Sequence, residues 1–180
     1  MPFAYYERLS PERKRIYRAS DAVGEIALPR PGELGPLAAA LERALAAGER
    51  AAVERAVQRL ANGICDQLGV RRAAVTVLER RPHAHWGELH GLYEPARPPR
   101  HPRITLWMRT AKRRQVVAFR TFLRTFLHEL LHHLDYTLLR LPDSLHTEGF
   151  YRRESSLFRQ LVGEGAAGAR AAARRAGARP

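Results

Sequence analysis

A five-residue segment, His128-Glu129-Leu130-Leu131-His132, combines residue types and a spacing that could do chemistry. Residues four apart on an α-helix lie one above the other, about 6 Å along the axis. His128 and His132 could therefore both bind one zinc ion, at roughly 2.0–2.1 Å from an imidazole nitrogen. Glu129 would project about 100° round the helix from His128, beside the metal but not bound to it. The segment predicts a metal site with two histidine ligands and a carboxylate beside it.

These groups suit the attack of water on a polarised carbonyl. A zinc ion on the two histidines would lower the pKa of a bound water towards ~7 and polarise the scissile carbonyl. Glu129 would take the proton from that water and pass it to the leaving amine, as a general acid/base. We therefore expect a zinc-dependent metallopeptidase, a hydrolase whose substrate is a polypeptide.

The surroundings of the segment favour a metal site over two ordinary histidines. It lies in a strongly apolar stretch, where imidazoles and a carboxylate without partners would be costly to bury. Asp135 is in helical phase with both histidines, at spacings of seven and three. We expect Asp135 to accept a proton from a ligand imidazole and fix its tautomer, rather than to bind the metal itself.

The elements that must position these residues form one α+β domain in our interpretation. Apolar residues at helical spacing predict the helices, and alternating or β-branched runs predict the strands. The predicted elements are helices at about 34–68 (broken at Gly48), 113–139 and 147–162, and strands at 74–78, 86–93 and 103–109. The order is two N-terminal helices, a small three-stranded sheet, a long helix with the histidines, and a following helix.

The two ends of the chain differ from this domain, which covers residues 33–162. Residues 1–32 are punctuated by prolines and are predicted to be an irregular arm, with one short helix that begins at the cap Ser10. Residues 163–180 lack large apolar side chains and are rich in alanine, glycine and arginine, which predicts a disordered basic tail. A regulatory protease in which the arm gates the cleft is one hypothesis for the arm.

With the residues that follow, the histidine segment resembles the SprT-like zinc peptidases. These have His-Glu-x-x-His, then a third histidine with an aromatic residue four positions beyond it. Here His146 follows His132 after thirteen residues, and Phe150 comes four later. The resemblance implies a zincin-like fold, three zinc ligands (His128, His132 and His146) and Glu129 as the catalytic residue. It also implies that Phe150 packs the following helix against the first.

A second resemblance leaves the third ligand open. Glu154 follows His132 after twenty-one residues. This is similar to zincins of the thermolysin type, whose third ligand is a glutamate on a later helix. His146 and Glu154 are therefore alternatives, and the motif match favours His146. Zincins also bind extended substrate at the sheet edge beside the active-site helix, and either 86–93 or 103–109 could be that edge.

The net charge of +13 raises the question of a nucleic-acid partner. A basic surface attracts phosphates through counterion release. A basic run leads into and along the histidine helix: Arg109, Lys112, Arg113, Arg114, Arg120 and Arg124. The SprT-like family includes enzymes that digest proteins crosslinked to DNA, for which a basic chain would suit. The alternative function is a nucleic-acid-binding protein with a structural or vestigial zinc site.

The cellular setting is predicted from cysteine content and hydropathy. A single cysteine, Cys65, excludes an internal disulfide and a metal site built from cysteines. The first residues contain no apolar core stretch typical of a signal peptide, and no later stretch is long enough to span a bilayer. We expect a soluble cytoplasmic protein with no membrane contact.

Overall fold

Five α-helices and a small three-stranded sheet make this a mixed α+β fold within the described residues, as the sequence predicted. The structure is a computed structural model that describes residues 3–84, 87–97 and 99–164, with backbone only for 83–84, 87–88 and 164. The helices are a 3-10 helix at Ala4–Arg8, α1 at Pro11–Ala22, α2 at Pro31–Ala47, α3 at Arg50–Gln67, α4 at Phe119–Thr137, α5 at Glu148–Arg159 and a π-helical turn at Gln160–Glu164. The strands are β1 at Ala74–Arg80, β2 at His83–Ala84, β3 at Gly87–Glu88, β4 at Gly91–Glu94 and β5 at Arg103–Arg109.

The strand β5 is the centre of the main sheet, whose order is β1-β5-β4. β1 pairs with it in parallel, with Val77 opposite Leu106, and β4 pairs with it antiparallel, with Tyr93 opposite Ile104. The hypothesis that residues 103–109 form the edge for substrate is therefore wrong, because both sides of β5 are occupied. In the described sheet, β4 is the edge strand next to α4.

The strand predicted at 86–93 is divided in two. Gly87–Glu88 pairs with His83–Ala84 in a separate two-stranded antiparallel sheet, and Gly91–Glu94 joins the main sheet. Residues 85 and 86, which include Trp86 of the prediction, lie outside the described residues. At Gly91, the first residue of β4, a Cβ atom would lie 2.6 Å from the side chain of Glu129 on α4.

The helix α4 buries one apolar face against the sheet and α5. Its fully buried apolar residues follow the helical period: Leu123, Phe126, Leu127, Leu130, Leu131 and Leu134. α4 begins at Phe119 rather than near residue 113, and this part of the prediction was wrong. The backbone before it is bound to β5 instead, since Val117 N–H donates to the carbonyl of Met108 at 2.8 Å and Val116 bridges Arg109.

The predicted irregular arm is largely helical. α1 begins as expected, with the Ser10 side chain accepting a hydrogen bond from the backbone of Arg13 and Pro11 in the first position. It runs for twelve residues, however, and buries Tyr17 and Ser20. Proline punctuation indicated breaks in the chain, but the packing of α1 against α5 could not be read from it.

The predicted basic tail begins within the last described element of the chain. Residues 163 and 164 belong to the π-helical turn, and residues 165–180 of the predicted basic tail lie outside the described residues. Among the helices that the structure describes, none combines the length and the apolar character needed to cross a bilayer.

Candidate metal centre

Three histidines converge between α4 and the loop before α5. His128 and His132 lie one turn apart on α4, and His146 lies two residues before Glu148, where α5 begins. One ring nitrogen from each lies within 4.8 Å of the others. The Nε2 atoms of His128 and His146 are 3.0 Å apart. The structure thus brings together the set that the resemblance to SprT-like peptidases implied.

A hydrogen-bonded chain behind His132 fixes the tautomer of that ring. Ser144 Oγ donates to Asp135 Oδ2 at 2.7 Å and accepts from His132 Nδ1, also at 2.7 Å. The proton therefore sits on Nδ1, and Nε2 keeps its lone pair for a metal. Asp135 was expected to contact the imidazole directly, but it acts through Ser144. The sequence carried no sign of this, because Ser144 lies in a loop without a periodic pattern.

Asp135 is itself held by a buried arginine. Arg153 NH2 donates to Asp135 Oδ1 at 2.8 Å, and both side chains are fully buried. Arg153 NH1 donates to the carbonyls of Ser20 and Val23, each at 2.6 Å. The free-energy cost of burying this charged group is offset because its two terminal nitrogens donate to a carboxylate and to backbone oxygens. The histidine cluster is thereby connected to α1.

Glu154, the alternative third ligand, lies on the other side of the His128 ring. Its Oε2 is 3.3 Å from His128 Nδ1, whereas His146 faces Nε2 of the same ring. Its other oxygen accepts from Arg124 at 3.2 Å. This arrangement suits an outer partner that orients His128, as carboxylates do behind metal-bound imidazoles.

Glu129 lies between α4 and the edge strand β4. Its side chain is buried, and burial raises its pKa to about 7, against the opposing effects of His128 and a backbone hydrogen bond with Tyr93. A Cβ atom at Gly91 would lie 2.6 Å from Glu129 Oε1. A larger residue at that position would have to displace the carboxylate, a constraint that no local pattern in the sequence indicated.

Burial also decides the charge of His132 and His146. It lowers the pKa of His132 to about 3, with further lowering by His128 and His146. The pKa of His146 is lowered by burial and by His128. Both rings are therefore neutral at neutral pH, which is the form that binds a metal.

The ring of Phe150 packs against the rings of all three histidines. Its ring centroid lies 5.0 Å from that of His128, 4.9 Å from His132 and 5.2 Å from His146. The side chain is fully buried between α4 and α5, in the position that the resemblance implied. An apolar ring therefore covers this side of the histidine cluster.

The N-terminal elements hold the loop that carries His146. Tyr5 Oη donates to the carbonyl of His146 at 2.5 Å. Arg13 pairs with Asp143 at 2.6 Å. Asp21 Oδ1 accepts from the backbone of Gly149 at 2.7 Å, in the first turn of α5. None of these contacts could be predicted from local patterns, because each joins positions more than a hundred residues apart.

Part of the predicted basic surface is occupied by contacts within the protein. Arg109 pairs with Glu79 at 3.0 Å. Arg120 and Arg124 lie over the ring of Phe158, at 4.8 and 4.2 Å. The ion pairs of Arg109 with Glu79 and of Arg124 with Glu154 offset part of the positive charge of this run, and the ring contacts hold two of its guanidinium groups against the protein.

The donor set fits zinc, because neutral imidazoles are among its preferred ligands.

Comparisons with known protein families, with curated proteins and with solved structures found no match to this chain.

Proposed function

We propose that this chain is a zinc-dependent metallopeptidase with a zincin-like fold, similar to the SprT-like zinc peptidases. The observation that carries the proposal is the convergence of His128, His132 and His146 within 4.8 Å, with Glu129 buried beside them. Three protein ligands suit a catalytic zinc, which keeps one position open, whereas structural zinc sites have four. Cys65 is buried and free, which suits a reducing compartment, and the proposal includes a cytoplasmic location.

In this proposal, some residues hold and orient the metal ligands and another moves a proton. A bound zinc ion would supply a Lewis acid that activates water and polarises a carbonyl. Glu129 is the group that would take and return the proton, since its carboxylate lies between α4 and the strand where substrate would bind. Ser144 and Glu154 orient the two helical imidazoles through Nδ1.

The edge strand β4 supports a polypeptide substrate. Within the described residues, β4 pairs only with β5, and its other side faces α4 and Glu129. An extended peptide that adds to such an edge gains main-chain hydrogen bonds and passes the metal centre. Leu92 on this strand is 41% exposed, so an apolar contact with substrate is also available.

The alternative is a nucleic-acid-binding protein with a structural or vestigial zinc site. A structural site needs a fourth protein ligand, and the described residues that converge here are three. Arg109, Arg120 and Arg124 are engaged with the protein itself. Both features favour the enzyme.

The test compares the wild type with Glu129→Gln, with Glu42→Gln on the exposed face of α2 as the control. We expect one zinc per chain in all three proteins, measured by metal analysis after dialysis. Hydrolysis of an unfolded protein substrate should fall by at least about a hundredfold in Glu129→Gln alone. Undiminished hydrolysis by Glu129→Gln would overturn the assignment, and a chain that binds no zinc would overturn the proposal.

A further inference from the structure

A cavity of about 840 Å³ opens beside the metal centre, at the end of the main sheet. It lies where β4 ends and β5 begins, and the proline-rich connection between them forms part of its wall. Its polar and aromatic lining consists of Tyr93, Glu94, Arg97, Arg100, His101 and Arg103. The proposed reaction leaves this cavity without a role.

The charge of the cavity is strongly positive. Arg97, Arg100 and Arg103 face a single carboxylate, that of Glu94, and none of them is ion-paired within the described residues. A backbone hydrogen bond joins the first two, since Arg100 N–H donates to the carbonyl of Arg97 at 2.7 Å. Arg71 adds another guanidinium group at the rim by donating to His101 Nδ1. Unpaired guanidinium groups on a concave surface favour an anionic ligand.

Tyr93 connects the cavity with the metal centre. It lines the cavity, and its ring is stacked on that of His132 with centroids 6.4 Å apart. Its backbone is hydrogen-bonded to Glu129. A peptide extended along β4 advances about 3.4 Å per residue. It would therefore pass from Glu129 into the arginine-lined cavity within a few residues of the bond to be cleaved.

The lining favours a polypeptide over a nucleic acid. Proteins that bind single-stranded nucleic acids combine positive charge with aromatic rings on which bases stack. Tyr93 is the aromatic residue of this lining, and it already stacks on His132 and on Tyr136, whose centroid is 6.1 Å away. Within the described lining, the cavity thus offers charge beside a strand edge and no Phe, Tyr or Trp ring besides Tyr93 on which bases could stack.

We infer that the cavity formed by Arg97, Arg100 and Arg103 binds acidic side chains of an extended polypeptide at the β4 edge. As a determinant of substrate choice, this inference rests on the proposed peptidase function. The binding itself needs no cleavage, so the two can be tested separately.

The test measures binding to the full-length Glu129→Gln protein by fluorescence anisotropy. The probes are a labelled peptide of about ten residues rich in glutamate, its glutamine counterpart, and a single-stranded oligonucleotide of equal charge. The cavity variant is Arg97→Gln/Arg100→Gln/Arg103→Gln. The matched control, Arg43→Gln/Arg55→Gln/Arg59→Gln, removes the same charge from exposed, unpaired arginines of α2 and α3. Thermal unfolding checks that both variants are folded, and single substitutions replace any triple variant that is not.

We expect the acidic peptide to bind at least about tenfold more tightly than the glutamine peptide, and the cavity variant alone to lose this difference. If both triple variants lost the same amount of affinity for the acidic peptide, the inference would be overturned in favour of diffuse attraction by the net charge. Tighter binding of the oligonucleotide through the same arginines would overturn it in favour of a nucleic-acid surface. Selective binding of the acidic peptide, together with a wild-type chain that hydrolyses no polypeptide, would support the cavity and refute the enzyme.

Discussion

Each helical histidine of the proposed metal centre is held at Nδ1 by an oxygen. His128 has Glu154 at 3.3 Å, and His132 has Ser144 at 2.7 Å. Both rings therefore present Nε2 to the shared space, and the pair is oriented before a metal arrives. Metal affinity should depend on these partners almost as much as on the ligands themselves.

Ser144 is where this dependence is most easily tested. Ser144→Ala removes the acceptor for His132 Nδ1 and a donor to Asp135, while Arg153 still pairs with Asp135. We expect zinc affinity to fall about 10- to 100-fold. The measurement is a competition titration with a zinc chelator, and the control is Thr125→Ala, whose hydroxyl bonds only to its own helix. Equal zinc affinities of Ser144→Ala and the wild type would show that the chain behind His132 is not needed.

At the scale of elements, α1 and α5 approach each other at a glycine. A Cβ atom at Gly149 would lie 2.5 Å from the carbonyl oxygen of Asp21 and 2.7 Å from that of Ser20. Both obstacles are backbone atoms, which cannot rotate away as a side chain would. This contact sets how closely the N-terminal elements approach the His146 loop.

Gly149→Ala should therefore push α1 away from α5. We expect the free energy of unfolding to fall by about 1–3 kcal/mol, and zinc affinity to fall with it. The control is Gly32→Ala in α2, where a Cβ atom meets nothing within 4 Å. The control should be neutral or stabilising by less than about 1 kcal/mol, because alanine favours a helix. Denaturant unfolding measures the stability of both variants. Equal stabilities of Gly149→Ala and the wild type would contradict close packing at this contact.

The 3-10 helix bears on the hypothesis that the arm gates the cleft. Tyr5 Oη donates to the carbonyl of His146, so this segment supports the proposed metal ligand His146. Removing residues 1–9 should lower kcat/KM for peptide hydrolysis, whereas a gating arm predicts an increase. Removing residues 165–180 is the control, since every described contact stays in place. Faster cleavage by the chain without residues 1–9 would favour the gate.

At the scale of the whole molecule, one buried thiol reports on the integrity of the core. Cys65 is fully buried in α3, and burial raises its pKa to about 11. At pH 8 the folded protein therefore holds a neutral, inaccessible thiol, and the thiolate that reacts is scarce.

We expect Cys65 to resist a thiol reagent at pH 8 until denaturant unfolds the chain. The labelling rate should follow the loss of helical circular dichroism across the denaturant range. Raising the pH to 9 should speed labelling of the unfolded chain more than that of the folded one, because only the unfolded thiol ionises near its ordinary pKa. Rapid labelling of the native protein would show that the core opens locally around α3.

Local patterns were enough for the elements with strong periodicity. The α4 face, the cap at Ser10, and β1 and β5 near their predicted positions follow from side chains within one or two turns or along one strand. Errors arose where the backbone found a distant partner, as at Val117, which binds β5 instead of starting α4. The arm was misjudged for the same reason, since α1 is anchored by Arg153.

The sequence by itself determined the spacing of His128, Glu129 and His132, because helical geometry relates residues four apart without any other part of the chain. Only the tertiary structure decided that His146 faces Nε2 of His128 while Glu154 faces Nδ1. It alone showed Ser144 between His132 and Asp135, and β4 as the edge beside Glu129. These relations join segments that are distant along the chain, and they depend on how α1, α5 and the sheet pack around α4. Packing of that kind leaves no periodic trace in any single segment.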